Sequence, residues 1–101
     1  MERLSFENKT PGQLADDILH LSHDYCTLSD ELGIIYQKKD LNWGMLRDTV
    51  TSDRQADQLW RETDIGSRER QVELELKKIQ KSISAIKTYL HIKENEAKNL
   101  Y

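Results

Sequence analysis

The sequence contains few of the cysteine, proline and glycine residues that form disulfide-linked folds or tight ligand-binding loops. It contains one proline, one cysteine and four scattered glycines among 101 residues. A single cysteine, Cys26, excludes an internal disulfide framework, and scattered glycines provide no phosphate-binding loop. No apolar run approaches the roughly 18 to 20 residues that a membrane-spanning helix needs. The length allows one small domain, which leaves little room to enclose a deep catalytic pocket.

Charged side chains are abundant but nearly balanced in sign. They make up 33% of the chain, with 15 basic and 18 acidic residues and a formal net charge of −3. A mildly acidic chain is not a generic nucleic-acid binder by bulk charge. The first nine residues carry no apolar run of the kind that marks a secretory signal. Together with the lone thiol, this predicts a cytoplasmic protein.

The first half of the chain carries a helix signal. Thr10, Pro11 and Gln13 form a helix start, because Thr10 and Gln13 fit a capping box and proline suits the first helical position. The apolar residues that follow alternate between spacings of four and three, as in a coiled-coil seam. These are Leu14, Ile18, Leu21, Tyr25, Leu28, Leu32 and Ile35. We predict a first helix over about 11–38, preceded by an N-terminal arm over 1–9.

The pattern weakens in the middle and then returns. The seam is interrupted at Lys39 and Asn42, and residues 40–66 are less regular. Ser52 and Gln55 fit a second capping box, which predicts a short helix over about 53–62. Gly66 permits a break before the next element. The heptad then resumes at Val72, Leu76, Ile79, Ile83, Ile86 and Leu90, predicting a last helix over about 67–99.

These elements predict an all-α fold, because each long helix has one apolar stripe that must be covered. The architecture is a helical bundle or an antiparallel coiled-coil hairpin, formed by residues 10–101 as a single helical domain. Val72, Ile79 and Ile86 are β-branched at the "d" positions, which favours three or more strands over a parallel pair. We therefore expect a homo-oligomer, and the two seams are the candidate self-association core. A hairpin and a domain-swapped dimer would satisfy the same contacts.

No constellation predicts catalysis, so we expect a protein that is not an enzyme and needs no cofactor. His20, His23 and Cys26 recur at spacings of three, and histidines near carboxylates are candidate metal ligands. The two histidines fall on the outer face of the heptad, however, and no second ligand pair exists elsewhere. A solvated helix face explains them better than a metal site.

Two surfaces are candidates for binding. The first helix carries acidic residues and is followed by a tryptophan where its seam fails, and tryptophan is a frequent interface anchor. The candidate protein interface is Asp16, Asp17, Asp24, Asp30, Glu31 and Trp43. The candidate nucleic-acid interface is Arg70, Lys77, Lys78 and Lys81, a basic stripe that could follow phosphates. Solvated helix faces would explain both sets of charges. Trp60 fits a core position better than an interface.

The second half of the chain contains several short residue patterns that resemble those of a known group of proteins. They are Thr51-Ser52-Asp53, Ala56-Asp57, Trp60, Thr63, Gly66, Glu69, Ser84-Ala85-Ile86-Lys87 and Glu96-Ala97-Lys98-Asn99. With these the chain resembles small all-helical accessory proteins encoded by bacteriophages and prophages. The resemblance implies a role in the host bacterial cytoplasm, including inhibition of a host defence effector.

The function predicted from these observations is a non-enzymatic, self-associating helical module that binds a larger protein partner. The acidic residues of the first helix could imitate phosphate charge at a basic groove of that partner. The alternative is a nucleic-acid-binding accessory protein that acts beside a recombination or replication protein. We expect no association with a membrane.

Overall fold

A computed structural model describes residues 8–99 and confirms the predicted all-α class. It has three helices, α1 (Pro11–Asp48), α2 (Asp53–Glu62) and α3 (Asp64–Asn99), and residues 8–99 contain no strand. The bounds of α2 agree with those predicted. Most of the predicted N-terminal arm over 1–9 lies outside the described residues. Within residues 8–99, none of the helices contains an apolar stretch long enough to cross a bilayer.

The start of α1 is the predicted capping box. The Thr10 hydroxyl accepts a hydrogen bond from the backbone N–H of Gln13 at 3.2 Å. The Gln13 side chain in turn accepts one from the backbone N–H of Thr10 at 2.9 Å. Each of the two side chains therefore accepts a hydrogen bond from the backbone N–H of the other residue, and these N–H groups would otherwise lack partners at the helix start. The helix begins at Pro11 for this reason.

The predicted end of the first helix near residue 38 is wrong. α1 continues for ten further residues, through Gly44, to Asp48. A glycine inside a helix costs about 1 kcal/mol relative to alanine, and tertiary contacts of residues 36–43 exceed that cost. The helix ends where Arg47 turns toward the next element. Its guanidinium donates to the Val50 carbonyl at 2.9 Å and to the Asp53 carboxylate at 2.6 Å.

A single residue, Thr63, joins α2 to α3. Its backbone N–H and its hydroxyl both donate to the Trp60 carbonyl, at 3.1 Å and 2.6 Å. The same hydroxyl accepts from the backbone N–H of Gly66 at 3.0 Å. Thr63 therefore closes the end of one helix and caps the start of the other. This is why α3 begins at Asp64, three residues before the predicted start.

Gly66 is not the break that its sequence position indicated. It lies buried inside the first turn of α3. A Cβ atom at this position would stand 1.8 Å from the Trp60 carbonyl oxygen and 2.6 Å from its carbon. Glycine is required here because the backbone of α2 approaches too closely for any side chain.

The described chain divides into two compact units. The corner unit is residues 26–76, and the terminal unit is residues 8–25 with 77–99. The buried apolar residues of the corner unit are Ile35, Ala56, Trp60, Val72 and Leu76, and those of the terminal unit are Leu14 and Ile86. All residues of the two predicted seams are buried or half-buried. Their part in self-association and the single-domain organisation stay predictions.

We predict opposite effects of adding a methyl group at two glycines. Gly66→Ala places its Cβ against the Trp60 carbonyl and should lower the free energy of unfolding by about 2 kcal/mol or more. Gly44→Ala meets no atom within 4 Å and should raise it by about 0.5–1 kcal/mol. Urea unfolding followed by far-ultraviolet circular dichroism measures both. Equal effects of the two substitutions would contradict the close approach at Gly66.

Candidate interaction surface

Polar side chains tie the second half of α1 to the other two helices of the corner unit. Tyr36, Lys39 and Trp43 follow at spacings of three and four, so they lie along one face of α1. Each meets a carboxylate on another helix of the corner unit. The Tyr36 hydroxyl donates to Glu73 at 2.8 Å, Lys39 pairs with Glu69 at 3.4 Å, and the Trp43 indole N–H donates to Asp57 at 2.8 Å. The two partners on α3, Glu73 and Glu69, descend along α3 as Tyr36 and Lys39 ascend along α1, so these segments run antiparallel.

Glu69 is the centre of this network. Only 7% of its surface is exposed, and its carboxylate accepts from the Trp60 indole N–H at 2.7 Å as well as from Lys39. The Lys39 ammonium also stands 5.9 Å from the centre of the Trp60 ring, within range of a cation–π attraction. Trp60 is therefore a core residue, as predicted. A carboxylate is tolerated at this depth because its oxygens have charged and neutral donors.

A cleft of about 510 Å³ opens beside this cluster at the corner between α2 and α3. Its wall combines Glu69 with the exposed side chains of Arg61 and Arg70, neither of which has an ion pair within the described residues. Glu73 also lines the cleft, and its carboxylate accepts a hydrogen bond from the Tyr36 hydroxyl of α1. Their hydrogen bond raises the pKa of Tyr36, because an ionised tyrosine could not donate and would repel the carboxylate. The cleft is lined mainly by fixed polar contacts.

A second concavity, of about 510 Å³, lies between α1 and the start of α3 and is more apolar. Its apolar lining comes from Ile34, Ile35 and Ile65. The charged residues at its rim are Asp30, Glu31, Lys38, Asp64 and Arg68. We call this concavity the isoleucine groove.

One rim pair of the isoleucine groove is fixed. The Arg68 guanidinium donates to both carboxylate oxygens of Glu31, at 2.6 Å and 2.9 Å. This two-pronged geometry lowers the pKa of Glu31, chiefly through the hydrogen bonds and further through the positive charge. Asp30, Asp64 and Lys38 have no ion pair within residues 8–99, so two carboxylates and one ammonium group at this rim are available to a partner.

An exposed apolar stripe continues from the groove along α1. Ile34, Leu41 and Met45 expose 54%, 77% and 69% of their surfaces. They are separated by seven and four residues, so they lie within about 40° of one another around the helix. The buried seam of α1 lies on a neighbouring face. α1 therefore has two apolar surfaces, of which one is covered within the chain.

The residues of the predicted acidic interface belong to both compact units. Asp16, Asp17 and Asp24 belong to the terminal unit, where Asp17 pairs with Lys9. Asp30 and Glu31 belong to the corner unit, where both line the isoleucine groove. The half-buried Trp43 also belongs to the corner unit, but its indole N–H already binds Asp57. Whether these residues meet a partner stays a prediction.

The residues of the predicted basic interface also belong to both units. Lys77, Lys78 and Lys81 are exposed on the part of α3 that belongs to the terminal unit, whereas Arg70 lines the cleft of the corner unit. None of the four has an ion pair in the described part of the chain. His20 and His23 are exposed, and residues 8–99 contain no group of three side chains that could hold a metal ion.

Sequence reasoning missed the polar network and the exposed stripe. The apolar pattern predicts an interruption of the seam at Lys39, whereas Lys39 continues the packing face through an ion pair with Glu69. Leu41 and Met45 fall in the segment that the pattern predicts to be less regular, whereas both lie within α1. A signal was present, because Ile34, Leu41 and Met45 follow helical spacing beside the seam. The glutamate partners on α3 had no signal, since their burial depends on α2 lying against them.

We predict that Glu69 contributes far more to stability than an exposed glutamate does. Glu69→Ala leaves the buried Trp60 indole N–H and the half-buried Lys39 without their acceptor, and should lower the free energy of unfolding by about 2–4 kcal/mol. The matched control is Glu62→Ala, an exposed position on α2, which should change it by less than about 0.5 kcal/mol. Urea unfolding measures both. Equal losses would contradict the central role of Glu69.

The Glu31–Arg68 pair predicts an acid dependence of stability. Because folding lowers the pKa of Glu31, its contribution is full above the pKa of the unfolded chain and is lost as pH falls through the lowered folded pKa. Glu31→Gln should therefore flatten the fall of the melting temperature between about pH 6 and pH 3. Glu94→Gln, an exposed glutamate without an ion pair among the described residues, is the control. A wild-type slope in Glu31→Gln would contradict the assignment.

Known proteins provide no template for these surfaces. Comparison with protein-family models, with curated proteins and with solved structures found no match to this chain. The function is therefore argued from the residues of the chain itself.

Proposed function

We propose that this chain is a non-enzymatic helical interaction module that associates with itself and binds a larger protein partner. The observation that carries the proposal is the exposed apolar stripe of Ile34, Leu41 and Met45 on α1. Large apolar side chains that recur on one helix face are typical of surfaces that another helix covers. The chain leaves this stripe uncovered although its seam residues are buried or half-buried.

The isoleucine groove is the part of this surface best suited to a larger partner. Ile34 and Ile65 offer an apolar floor, and the free carboxylates of Asp30 and Asp64 would orient a partner of basic charge. The groove brings two of the predicted acidic candidates, Asp30 and Glu31, beside apolar contacts. The resemblance to phage-encoded helical proteins directs the search for this partner to a bacterial cytoplasm and to host defence proteins.

A second candidate function is nucleic-acid binding by an accessory protein. The observation that favours it is the exposure of Lys77, Lys78 and Lys81 without ion pairs among residues 8–99. Such lysines are available for phosphates, and binding through them would weaken steeply with salt. The exposed apolar residue on the preceding turn is Leu74 and not an aromatic residue, so it gives bases no ring on which to stack. The candidate is therefore second to protein binding.

Light scattering across a range of protein concentrations tests the two candidates together. The interaction module should give a mass that rises above that of one chain with protein concentration and does not change when a single-stranded oligonucleotide is added. The nucleic-acid candidate should give a mass that rises with the oligonucleotide and returns at high salt. Neutralising Lys77, Lys78 and Lys81 should then abolish that rise. A mass that stays at one chain throughout contradicts self-association.

Binding of a larger partner is tested by comparing two matched variants. Ile34→Asp places a charge in the isoleucine groove, and Leu19→Asp places one on another exposed position of α1, where 68% of the leucine is exposed. A bacterial protein retained by the wild type and by Leu19→Asp, but lost with Ile34→Asp, would support the groove as its site. Retention by all three chains would contradict it.

A further inference from the structure

We infer that a second copy of this chain covers Leu41 and Met45, with the two α1 helices antiparallel. The inference rests on the self-association proposed above and adds the surface and the direction of pairing. It assigns Leu41 and Met45 to a second copy and leaves the apolar floor of the isoleucine groove to the larger partner, with Lys38 at the border of the two surfaces.

Four exposed residues of α1 form a short second seam. Lys38, Leu41, Met45 and Asp48 follow at spacings of three, four and three, and lie within about 80° of arc around the helix. All four are exposed, and none of them packs in the core of the corner unit. This face has the residue spacing with which one helix receives another. Its apolar centre is only two residues long, with a positive charge before it and a negative charge after it.

The charges at the two ends distinguish the possible pairings. Neither Lys38 nor Asp48 has an ion pair within residues 8–99. In an antiparallel pair whose two-fold axis passes in front of the seam at the level of residue 43, Leu41 faces Met45 of the second copy. Lys38 then faces Asp48 of the second copy, and symmetry repeats this contact. A parallel pair in register would place Lys38 against Lys38 and Asp48 against Asp48. The face is therefore complementary to itself in the antiparallel direction alone.

The size of the contact sets its strength. Two apolar side chains from each copy bury less surface than stable dimers of this kind require. The association is thus weak and depends on concentration, and the end charges decide which register forms rather than supplying most of the affinity. Such a contact also explains how Leu41 and Met45 can be the most exposed large apolar residues of α1 in the single chain.

Charge reversal tests this register directly by sedimentation equilibrium. Lys38→Asp and Asp48→Lys each turn two attractive contacts into two repulsive ones, and each should weaken the dimer by about tenfold or more. The double variant, Lys38→Asp with Asp48→Lys, restores opposite charges and should return the dissociation constant to within about threefold of the wild-type value. Circular dichroism checks that helicity is unchanged, as expected for exposed positions.

Asp40→Lys is the matched control for Asp48→Lys. It makes the same change of net charge on an exposed part of α1 outside the seam, and should leave the dimer intact. A dimer that is insensitive to the single reversals, or that the double variant fails to restore, overturns the antiparallel register while self-association stands. A wild-type chain that remains a monomer at millimolar concentration overturns both the inference and the proposed self-association.

Discussion

The corner unit depends on one buried carboxylate. Glu69 accepts from an indole of α2 and from a lysine of α1, so a single group on α3 fixes both other helices. The burial of a carboxylate is unfavourable unless its oxygens have hydrogen-bond donors. This requirement favours the packing in which Trp60 and Lys39 both reach Glu69. A shift of Trp60 or of Lys39 would leave one oxygen of this carboxylate without its donor from the protein.

The same constraint explains which features of the fold can be predicted from sequence. The heptad spacing from Leu14 to Ile35 is a local signal, and it locates α1 and its buried face correctly. The end of α1 is not a local matter, because residues 39–48 remain helical through contacts of Lys39 and Trp43 with carboxylates far away in sequence. An apolar period identifies a packing face only while that face is apolar. Once the packing face of a helix becomes polar, the sequence of that helix alone no longer indicates the face, and the side chains that it contacts must be known.

The candidate surfaces were predictable to a different degree. Acidic and basic residues could be identified as exposed, but their division between two compact units could not, since it depends on where the chain folds back. The Glu31–Arg68 pair joins residues 37 positions apart, beyond any local pattern. The stripe through Leu41 and Met45 was present in the spacing, yet it became interpretable only when α1 proved to continue past residue 38. An error in the predicted end of α1 therefore affected the prediction of the exposed stripe as well as that of the fold.

The joint at Thr63 has a consequence for how this sequence can change length. A single residue between two helices leaves no slack to absorb an insertion or deletion. One added residue would rotate the whole of α3 by about 100° around its axis. Val72 and Leu76 would then turn out of the corner unit, and charged neighbours would turn in. Substitutions on the exposed faces leave this joint intact, whereas a change in the number of residues between Trp60 and Glu69 would separate the Trp60 indole N–H from its acceptor.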